Sequence, residues 1–320
     1  MTEVRTKNPK FIGKFLATVA VMASVVHVTS CSGSRSGPVE PSAGPERHSV
    51  DLGEHISAFT GGLGPRGGYR EPVRGERRTV AEGVGLFLDG RRAEAGRHLA
   101  GVGFRVRTLT DRATGRRYAE IADATEARAA ARGWGRVYVD LDSPSRWSVQ
   151  VPHPVADLDS EDVGVAMLRG TPGGVLVLAG AHRAAGRKDA ADVSHRRDTV
   201  FHAVCDELLE RRLPGIQVHG FDDATAPGYD VIISTGSGTR GREAGRAMSD
   251  ALRDRGFDTC RAWSRNCPLE GRTNVQGRAA EEAEVPFLHV EFSRSVRESG
   301  RSVSRVAQAA VAATAAWSAD

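Results

Sequence analysis

The second half of the chain alternates between apolar runs that are typical of buried strands and segments with helical spacing. Strands that are buried on both faces have near-continuous apolar runs, and they alternate with helices in proteins that contain a largely parallel sheet. The pattern therefore predicts an α/β fold of three layers, in which helices cover both faces of a mostly parallel but mixed central sheet. The predicted strands are WSVQVPHP (147–154), GGVLVLAGAH (173–182), GIQVHGF (215–221), YDVIIST (229–235) and VPFLHVEFS (285–293).

Helices are predicted between these strands by apolar residues that recur at intervals of three and four. Ser160 and Asp198 stand where two of these helices begin and can act as N-caps. No linker-like run separates residues 77–146 from the rest, so this stretch is predicted to begin the same sheet, with a separate N-terminal subdomain as the alternative. The predicted helices span 79–99, about 124–132, 160–168, 198–212, 240–255 and 300–316, and the early strands are GFRVRTLTD, RRYAEIAD and GRVYVDL.

The amino terminus has the composition of an export signal. Residues 1–15 are basic, and residues 16–28 form an apolar run that is shorter than the ~20 residues a transmembrane helix needs. The run ends in VTSC, which resembles a bacterial lipobox in which the cysteine, here Cys31, is lipidated. The alternative is an ordinary signal peptide that happens to contain a cysteine. We expect residues 1–31 to be a lipoprotein signal peptide.

The residues after this signal predict a tether followed by one domain. Residues 32–76 are rich in Gly, Pro, Arg and Ser and are predicted to form a flexible linker. Residues 77–320 are predicted to form a single α/β domain. The expected location is extracytoplasmic, on the outer face of the bacterial cell membrane, with the lipid on Cys31 as anchor.

An oxidising compartment changes how the other cysteines are interpreted. Cys260 and Cys267 lie seven residues apart in a polar, loop-like segment, where a local disulfide is the default. Cys205 has apolar neighbours at helical spacing, which favours an inert buried thiol over a nucleophile. Because the sequence has no CxxC pair, a zinc site built on cysteines is disfavoured.

The net charge argues against nucleic acid as a partner. The chain carries 44 Lys and Arg against 40 Asp and Glu, and residues 1–31 hold four of these basic residues and one of the acidic ones. The remaining chain therefore has a net charge of +1 at pH 7. So small a charge provides no general attraction to a polyanion.

Four histidines stand at or near the ends of predicted strands, namely His153, His182, His219 and His289. In open α/β sheets, ligands bind at the carboxyl ends of the strands. A shared edge for these imidazoles suggests one site, although a single histidine in such a position is more often a satisfied core or surface group.

The densest cluster of candidate ligands is the segment from His153 to Glu161, which also contains Asp157 and Asp159. An imidazole and a carboxylate supply two of the three protein ligands typical of a catalytic zinc, and His219 can bring the third from another strand. The alternative is a solvated acidic loop whose carboxylates stabilise the positive end of the next helix. These residues alone leave the two interpretations evenly balanced.

A carboxylate also lies inside a predicted strand, where Glu291 occurs in FLHVEFS. A buried carboxylate is costly unless it is paired or poised for proton transfer. Glu291 is therefore a candidate general base, and a salt bridge to Arg294 or Arg297 is the alternative.

Two other motifs carry less weight. The run DAADVSHRRDTVFHAV offers Asp192, Ser194, His195 and His202, but it contains no GxSxG elbow. The segment GSGTRGREAG (236–245) lacks the GKS/T ending of a phosphate loop and the spacing of a dinucleotide loop. Serine-hydrolase and nucleotide-binding functions are therefore disfavoured.

Taken in order, the motifs of residues 148–298 resemble those of the zinc-dependent poly-γ-glutamate hydrolases of phages and bacilli. That family belongs with the carboxypeptidase-like amidohydrolases and is related in fold to N-formylglutamate amidohydrolases. Its members have a strand ending in His-Gly-Gly with an acid soon after, a His-Ile-Thr-Ser segment, a strand ending in His-Gly, and a late Gln-Leu-Glu strand. The first loop here departs from that pattern, because it begins His-Pro. The counterparts are VPHPVADLDSE, GGVLVLAGAH, DVSHRRDTVF, VQVHGF, LEGRTNVQGRA and FLHVEFSRSVR.

The resemblance implies a phosphorylase/hydrolase-like fold with zinc as its cofactor. His153 and His219 are the implied zinc ligands, and an acid of the first loop completes the set. Glu161 is favoured as that acid because it begins the helix, while Asp157 orients His153 or takes the place of Glu161. Asp159 is a third option.

The reaction implied by the resemblance is hydrolysis of an amide bond in a peptide-like or acylated amino-acid substrate. γ-Glutamyl polymers, N-acyl amino acids and peptidoglycan stem peptides are candidates. Glu291 would take the proton of the attacking water and return it to the leaving amine. Arg183, His195 and Arg297 are the candidate substrate contacts, since a guanidinium can hold a carboxylate with two hydrogen bonds. Two other classes of protein compete with this interpretation. One is a lipoprotein that binds an anionic ligand without turnover, and the other is a lipoprotein that only mediates assembly.

Overall fold

The computed structural model describes residues 47–124 and 132–318. The predicted signal peptide, the lipidation site at Cys31, the linker up to residue 46 and nearly all of the helix predicted near 124–132 lie outside the described residues. The described helices are α1 (Leu52–Thr60), α2 (Arg74–Leu88), α3 (Arg92–Ala100), α4 (Ser160–Gly170), α5 (Val200–Glu210), α6 (Arg242–Arg253), α7 (Val275–Glu282), α8 (Arg294–Arg297) and α9 (Gly300–Ala316).

The described strands form one sheet of ten. From edge to edge the order is β1-β2-β3-β4-β6-β5-β7-β10-β8-β9. The four central strands, β6, β5, β7 and β10, are parallel to one another. The pairs β2–β3, β3–β4, β4–β6 and β10–β8 are antiparallel. The strands are β1 (Arg47–Val50), β2 (Phe104–Asp111), β3 (Arg117–Asp123), β4 (Arg136–Asp140), β5 (Trp147–Val151), β6 (Gly174–Leu178), β7 (Gly215–Phe221), β8 (Val231–Ser234), β9 (Thr259–Arg261) and β10 (Phe287–Ser293).

Helices cover both faces of this sheet. Successive side chains of a strand point to opposite faces, and in β6 Leu176 and Leu178 join a core with α1, α4, α6 and α9. Val175 and Val177 join a second core with α2, α3 and α5. The predicted α/β fold with three layers and a mixed, mostly parallel sheet is therefore confirmed.

The linker prediction is wrong for residues 47–60, which form β1 and α1. Leu52 and Ile56 lie four residues apart on one helix face and are fully buried. Asp51 caps the helix by accepting a hydrogen bond from the backbone N–H of Glu54 at 3.0 Å. A helix of nine residues is marginal by itself, so its stability comes from this packing, which a polar, Gly-rich sequence context does not reveal.

The helix predicted from Thr79 to Leu99 is two helices, because Gly90 adopts a φ of 79° between α2 and α3. Two predicted caps are also different. Thr199, not Asp198, caps α5 by accepting from His202 N. Ser160 is the first residue of α4, and its buried hydroxyl has no partner. The two differences in the caps lie within one residue of the predicted helix start, where local sequence is least informative.

A disulfide joins Cys260, in β9, to Cys267 in the segment that follows this strand. Cys205 is free and buried on α5, where burial raises the pKa of its thiol well above the ordinary value. Among the residues that the structure describes, no helix has both the length and the apolar character needed to cross a bilayer.

Candidate metal centre

The parallel register of the central strands brings the predicted site residues together. His219 on β7 pairs directly with Glu291 on β10, and Gln217 pairs with His289 two residues earlier in each strand. Because side chains two residues apart share a face, these four side chains lie on the same face of the sheet. Backbone pairing therefore places an imidazole beside a carboxyl group.

The loop after β5 supplies the other two members of the site. The N–H of Asp157 donates to the carbonyl of His153 at 3.0 Å, which folds the loop back on itself. Val155 has a φ of 58°, a left-handed conformation that costs about 1–2 kcal/mol for most residues and is rare for β-branched ones. The Glu161 carboxylate accepts from the Val155 N–H at 3.4 Å and so helps to hold this turn.

Two imidazoles converge on one carboxylate oxygen. Oδ2 of Asp157 lies 3.3 Å from Nδ1 of His153 and 3.3 Å from Nδ1 of His219. The opposite nitrogen of each ring faces an acceptor, since Nε2 of His153 donates to Asp192 Oδ1 at 2.8 Å and Nε2 of His219 donates to Gln217 Oε1 at 2.8 Å. A neutral imidazole carries one N–H, so both Nδ1 atoms present lone pairs to the carboxylate. With both rings neutral, three acceptors face one another, and a cation between them would satisfy all three.

The donor set fits zinc. Neutral imidazoles and a carboxylate are typical zinc ligands, with bonds of ~2.0–2.1 Å whose tetrahedral geometry places ligand atoms about 3.3–3.4 Å apart. The two distances from Asp157 Oδ2 agree with that spacing. All three residues are buried, and an acceptor holds the far nitrogen of each imidazole, as is usual for histidines that bind metals.

Asp157 and His219 have the charge states that metal ligands need, whereas His153 must lose a proton to bind a metal. Burial raises the pKa of Asp157, but its contacts with the imidazoles of His153 and His219 hold it far below its usual range. Burial lowers the pKa of His219. For His153, burial also favours the neutral form, yet the hydrogen bonds to Asp157 and Asp192 leave its pKa above the ordinary value. An anionic oxygen therefore lies between two histidines, one of which favours a proton in the metal-free protein.

Glu291 is placed to exchange protons beside this cluster. Burial raises its pKa to about 8, and the negative charge of Asp157 adds to the effect. Within the described part of the chain, no salt bridge joins Glu291 to Arg294 or Arg297. Its Oε1 lies 3.8 Å from Nε2 of His289. Its carboxyl oxygen, a nitrogen of His219 and a nitrogen of His289 form a second group within 4.8 Å of one another.

His289 is enclosed next to these residues. Its ring stacks on that of His219 with centroids 4.4 Å apart, and burial lowers its pKa well below the ordinary value. Gly271 has a φ of 63° and packs against the ring so closely that a Cβ there would lie 2.4 Å from it. His289 is therefore a neutral wall of the site.

A polar cluster at the mouth of the site centres on Asp192. Its carboxylate accepts from Arg183 at 2.6 Å, from Ser194 at 3.0 Å and from His153, and Oδ1 lies 3.2 Å from Nδ1 of His195. Arg183 and His195 are partly exposed, whereas Ser194 is buried. The sequence run containing Asp192 thus contributes the orienting partner of His153, which sequence reasoning missed.

Three of the predicted ligand and base residues meet in space, namely His153, His219 and Glu291. Among the described residues, the acid that joins the two imidazoles is Asp157, which the prediction placed second to Glu161. Glu161 is instead turned toward the loop backbone. Asp159 lies outside the cluster and pairs with Arg294. A loop sequence does not reveal which of its acids the turn directs inward.

Arg297 has a different role from the predicted substrate contact. It is 5% exposed, and its guanidinium donates to the carbonyls of Phe292, Leu158 and Phe221. Gly220 has no side chain and so makes room for Arg297, since a Cβ at this position would lie 2.3 Å from the guanidinium carbon. Each of its three nitrogens donates to a backbone carbonyl, so Arg297 joins the ends of β7 and β10 to the loop after β5. His182, whose Nδ1 accepts from the N–H of Ala184, also lies outside the cluster.

No protein-family model matches this chain, and no curated protein matches it. Among solved structures it is similar to the gene product Atu2144 from Agrobacterium tumefaciens, with 9% identity, a TM-score of 0.40 and coverage of 55% of this chain and 89% of that chain. A metallo-carboxypeptidase from Pseudomonas aeruginosa has 14% identity, a TM-score of 0.38 and coverage of 57% and 60%. LapB from Legionella pneumophila has 10% identity, a TM-score of 0.40 and coverage of 82% and 69%.

The matched part of this chain spans about three fifths of the length of the Pseudomonas carboxypeptidase. Identities and TM-scores this low carry no argument about activity. The functional conclusion therefore rests on the side chains of the site.

Proposed function

We propose that the protein is a zinc-dependent hydrolase of amide bonds, with the metal held by His153, Asp157 and His219. The observation that carries this proposal is the convergence of three acceptor atoms, two ring Nδ1 atoms and Oδ2 of Asp157, with 3.3 Å between the oxygen and each nitrogen. With both imidazoles neutral, no proton donor of the three residues points into the space between them. A divalent cation satisfies all three at once.

Glu291 acts as the general base and acid of this proposal. A zinc ion bound there would polarise the substrate carbonyl and acidify water. Glu291, with its pKa raised to about 8, is matched to accepting and returning a proton near neutral pH. It accepts the proton of the attacking water and then delivers that proton to the leaving amine.

Arg183 and His195 are the proposed contacts for the substrate. Both side chains are partly exposed at the mouth of the site, and both are oriented by Asp192. One terminal nitrogen of Arg183 lies 3.4 Å from Nδ1 of His153 and the other donates to Asp192, and the exposed remainder of the guanidinium can bind a carboxylate. Substrates of the proposed class are therefore peptide-like or acylated amino acids that carry a carboxylate, including γ-glutamyl and peptidoglycan-type amides.

Metal content and hydrolysis test the proposal together. The purified protein is expected to bind about one zinc ion per chain, and Asp157→Asn and His219→Ala are each expected to abolish tight binding. Glu161→Gln is the matched control, because its carboxylate serves the loop backbone. Amide hydrolysis should follow metal content and be lost in Glu291→Gln, which keeps the metal ligands.

The results separate this proposal from its competitors. A protein with no zinc affinity, or one in which Glu161→Gln loses the metal and Asp157→Asn keeps it, contradicts the proposed centre. Stabilisation by an acylated amino acid without turnover indicates a binding protein instead.

We also propose that the protein is exported and anchored to the outer face of the cell membrane through Cys31. The basic and apolar N-terminal sequence supports this, and so does the disulfide between Cys260 and Cys267, a bond typical of oxidising compartments. Cys31→Ala should move the protein from the membrane fraction to the soluble one. Unchanged fractionation contradicts lipid anchoring.

A further inference from the structure

We propose that a buried relay of side-chain amides fixes the tautomer of His219 that can bind a metal, with Gln217 as the positioning residue. The inference rests on the proposed metal site for its functional meaning. The hydrogen-bonding pattern that supports it is independent of any metal. The relay consists of Gln150, Gln217, Asn274 and Gln276.

Backbone groups set the direction of the relay at two points. Nε2 of Gln276 donates to the carbonyl of Val193 at 2.9 Å, so Oε1 of Gln276 is left to accept from Gln217 at 3.2 Å. The Oδ1 of Asn274 accepts from the N–H of Gly277 at 3.0 Å as the cap of α7, so its amide nitrogen is turned toward Gln217. A carbonyl only accepts and an N–H only donates, which settles both amide orientations.

These two neighbours determine how Gln217 lies. Its Nε2 faces two acceptors, Oε1 of Gln276 and Oε1 of Gln150 at 3.1 Å. Its Oε1 accepts from Asn274 and from Nε2 of His219. The amide thus uses two donors and two acceptors, which is its full capacity. Turning it over would place oxygen against oxygen on one side and nitrogen against nitrogen on the other.

Burial makes this orientation costly to reverse. Gln217 is 0% exposed, Gln276 1%, Gln150 2% and Asn274 3%, so water does not replace a lost partner. An unsatisfied buried polar group costs about 1–3 kcal/mol, and a reversed Gln217 would create several. The acceptor therefore stays toward His219.

The consequence for His219 is a fixed proton position. Its Nε2 carries the hydrogen, and its Nδ1 is left as a lone pair directed at Asp157. Without the Gln217 acceptor, the nearest partner for a ring N–H would be Asp157 on the Nδ1 side. The proton would then occupy the nitrogen that the proposed metal needs.

The test compares Gln217→Met with Gln217→Glu in full-length, metal-free protein at pH 8. Long-range ¹H–¹⁵N NMR identifies which ring nitrogen of His219 is protonated. The wild type should have the proton on Nε2. Gln217→Glu should have it there too, because one carboxyl oxygen stays in the accepting position while the other, facing Oε1 of Gln276 and of Gln150, carries a proton. Gln217→Met should move it to Nδ1 and weaken zinc binding by about 10- to 100-fold. Asn266→Asp, an exposed amide-to-acid change, controls for added charge.

If Gln217→Met does not fold, the wild-type spectrum alone tests the relay, because a proton on Nδ1 of His219 in the wild type overturns it. A proton that stays on Nε2 in folded Gln217→Met also overturns it. The expected tautomers in a protein that binds no zinc support the relay and refute the proposed metal site. Zinc binding by a wild type protonated on Nδ1 refutes the relay alone.

Discussion

Replacement of Glu291 by glutamine should stabilise the metal-free protein, and the gain should grow with pH. Glu291 is 7% exposed, and burial, followed by the charge of Asp157, raises its pKa from 4.5 to about 8. The folded protein therefore binds this proton more tightly than the unfolded chain does. The stability that this proton contributes is complete below about pH 4.5 and is lost as the pH rises to about 8.

The size of the effect follows from the two pKa values. Linkage gives a change of about 3 to 4 kcal/mol in the free energy of unfolding between pH 5 and pH 9. A glutamine does not titrate, so the difference in stability between Glu291→Gln and the wild type should increase by that amount over the same range. The amide is nearly the same size as the carboxyl group, so core packing changes little.

Urea unfolding of the chelator-treated proteins at one-unit pH steps measures this difference. Glu298→Gln, at the C-terminal end of α8 where the side chain is 56% exposed, controls for the chemical change. Because both proteins share all other titrating groups, subtraction removes their contributions. A difference that is flat with pH, or that falls as pH rises, refutes the assignment of Glu291 as a buried acid with a raised pKa.

Three further outcomes follow from the packing and chemistry of the site. The hydroxyl of Ser194 lies 3.0 Å from Nε2 of His153, so a kinetic assay of Ser194→Ala tests for serine catalysis. Metal-assisted hydrolysis predicts that kcat falls less than tenfold. Catalysis by Ser194 predicts that activity is lost. Gly220→Ala should cost about 1–3 kcal/mol in thermal unfolding because its Cβ would meet the Arg297 guanidinium. Gly96→Ala, in open space on α3, should instead stabilise the protein by about 0.5–1 kcal/mol. Similar changes in stability for Gly220→Ala and Gly96→Ala would contradict the close contact between Gly220 and Arg297. Reduction of the disulfide, which closes a short loop, should destabilise the protein by about 2–3 kcal/mol, and calorimetry with and without reductant should show it.

The sequence was informative where one physical signal dominates. Apolar runs are sufficient to locate the central strands, because parallel strands buried on both faces tolerate few polar residues. The polar exceptions within those runs, such as His219 and Glu291, are then conspicuous and correctly suggest a shared site. Gln217, an amide in a buried strand, was not singled out, because its meaning depends on partners more than 50 residues away.

Other features depend on geometry that sequence patterns do not encode. The choice between Asp157 and Glu161 is decided by a loop that turns back through a left-handed Val155, a conformation no residue preference predicts for valine. The short helix α1 depends on long-range burial of Leu52 and Ile56. Arg297 resembled a substrate contact until the carbonyls around it were known.

The pairing of β7 with β10 has a consequence for how such a protein can diversify. Seven consecutive residue pairs fix His219 opposite Glu291, so the separation of a proposed ligand from the proposed base is inherited from the main-chain spacing of a sheet, about 4.8 Å between strands. Slippage by a single residue would send Glu291 to the opposite layer. Surface loops around the mouth can therefore change in length and composition, altering which molecules enter, while the reactive pair keeps its spacing.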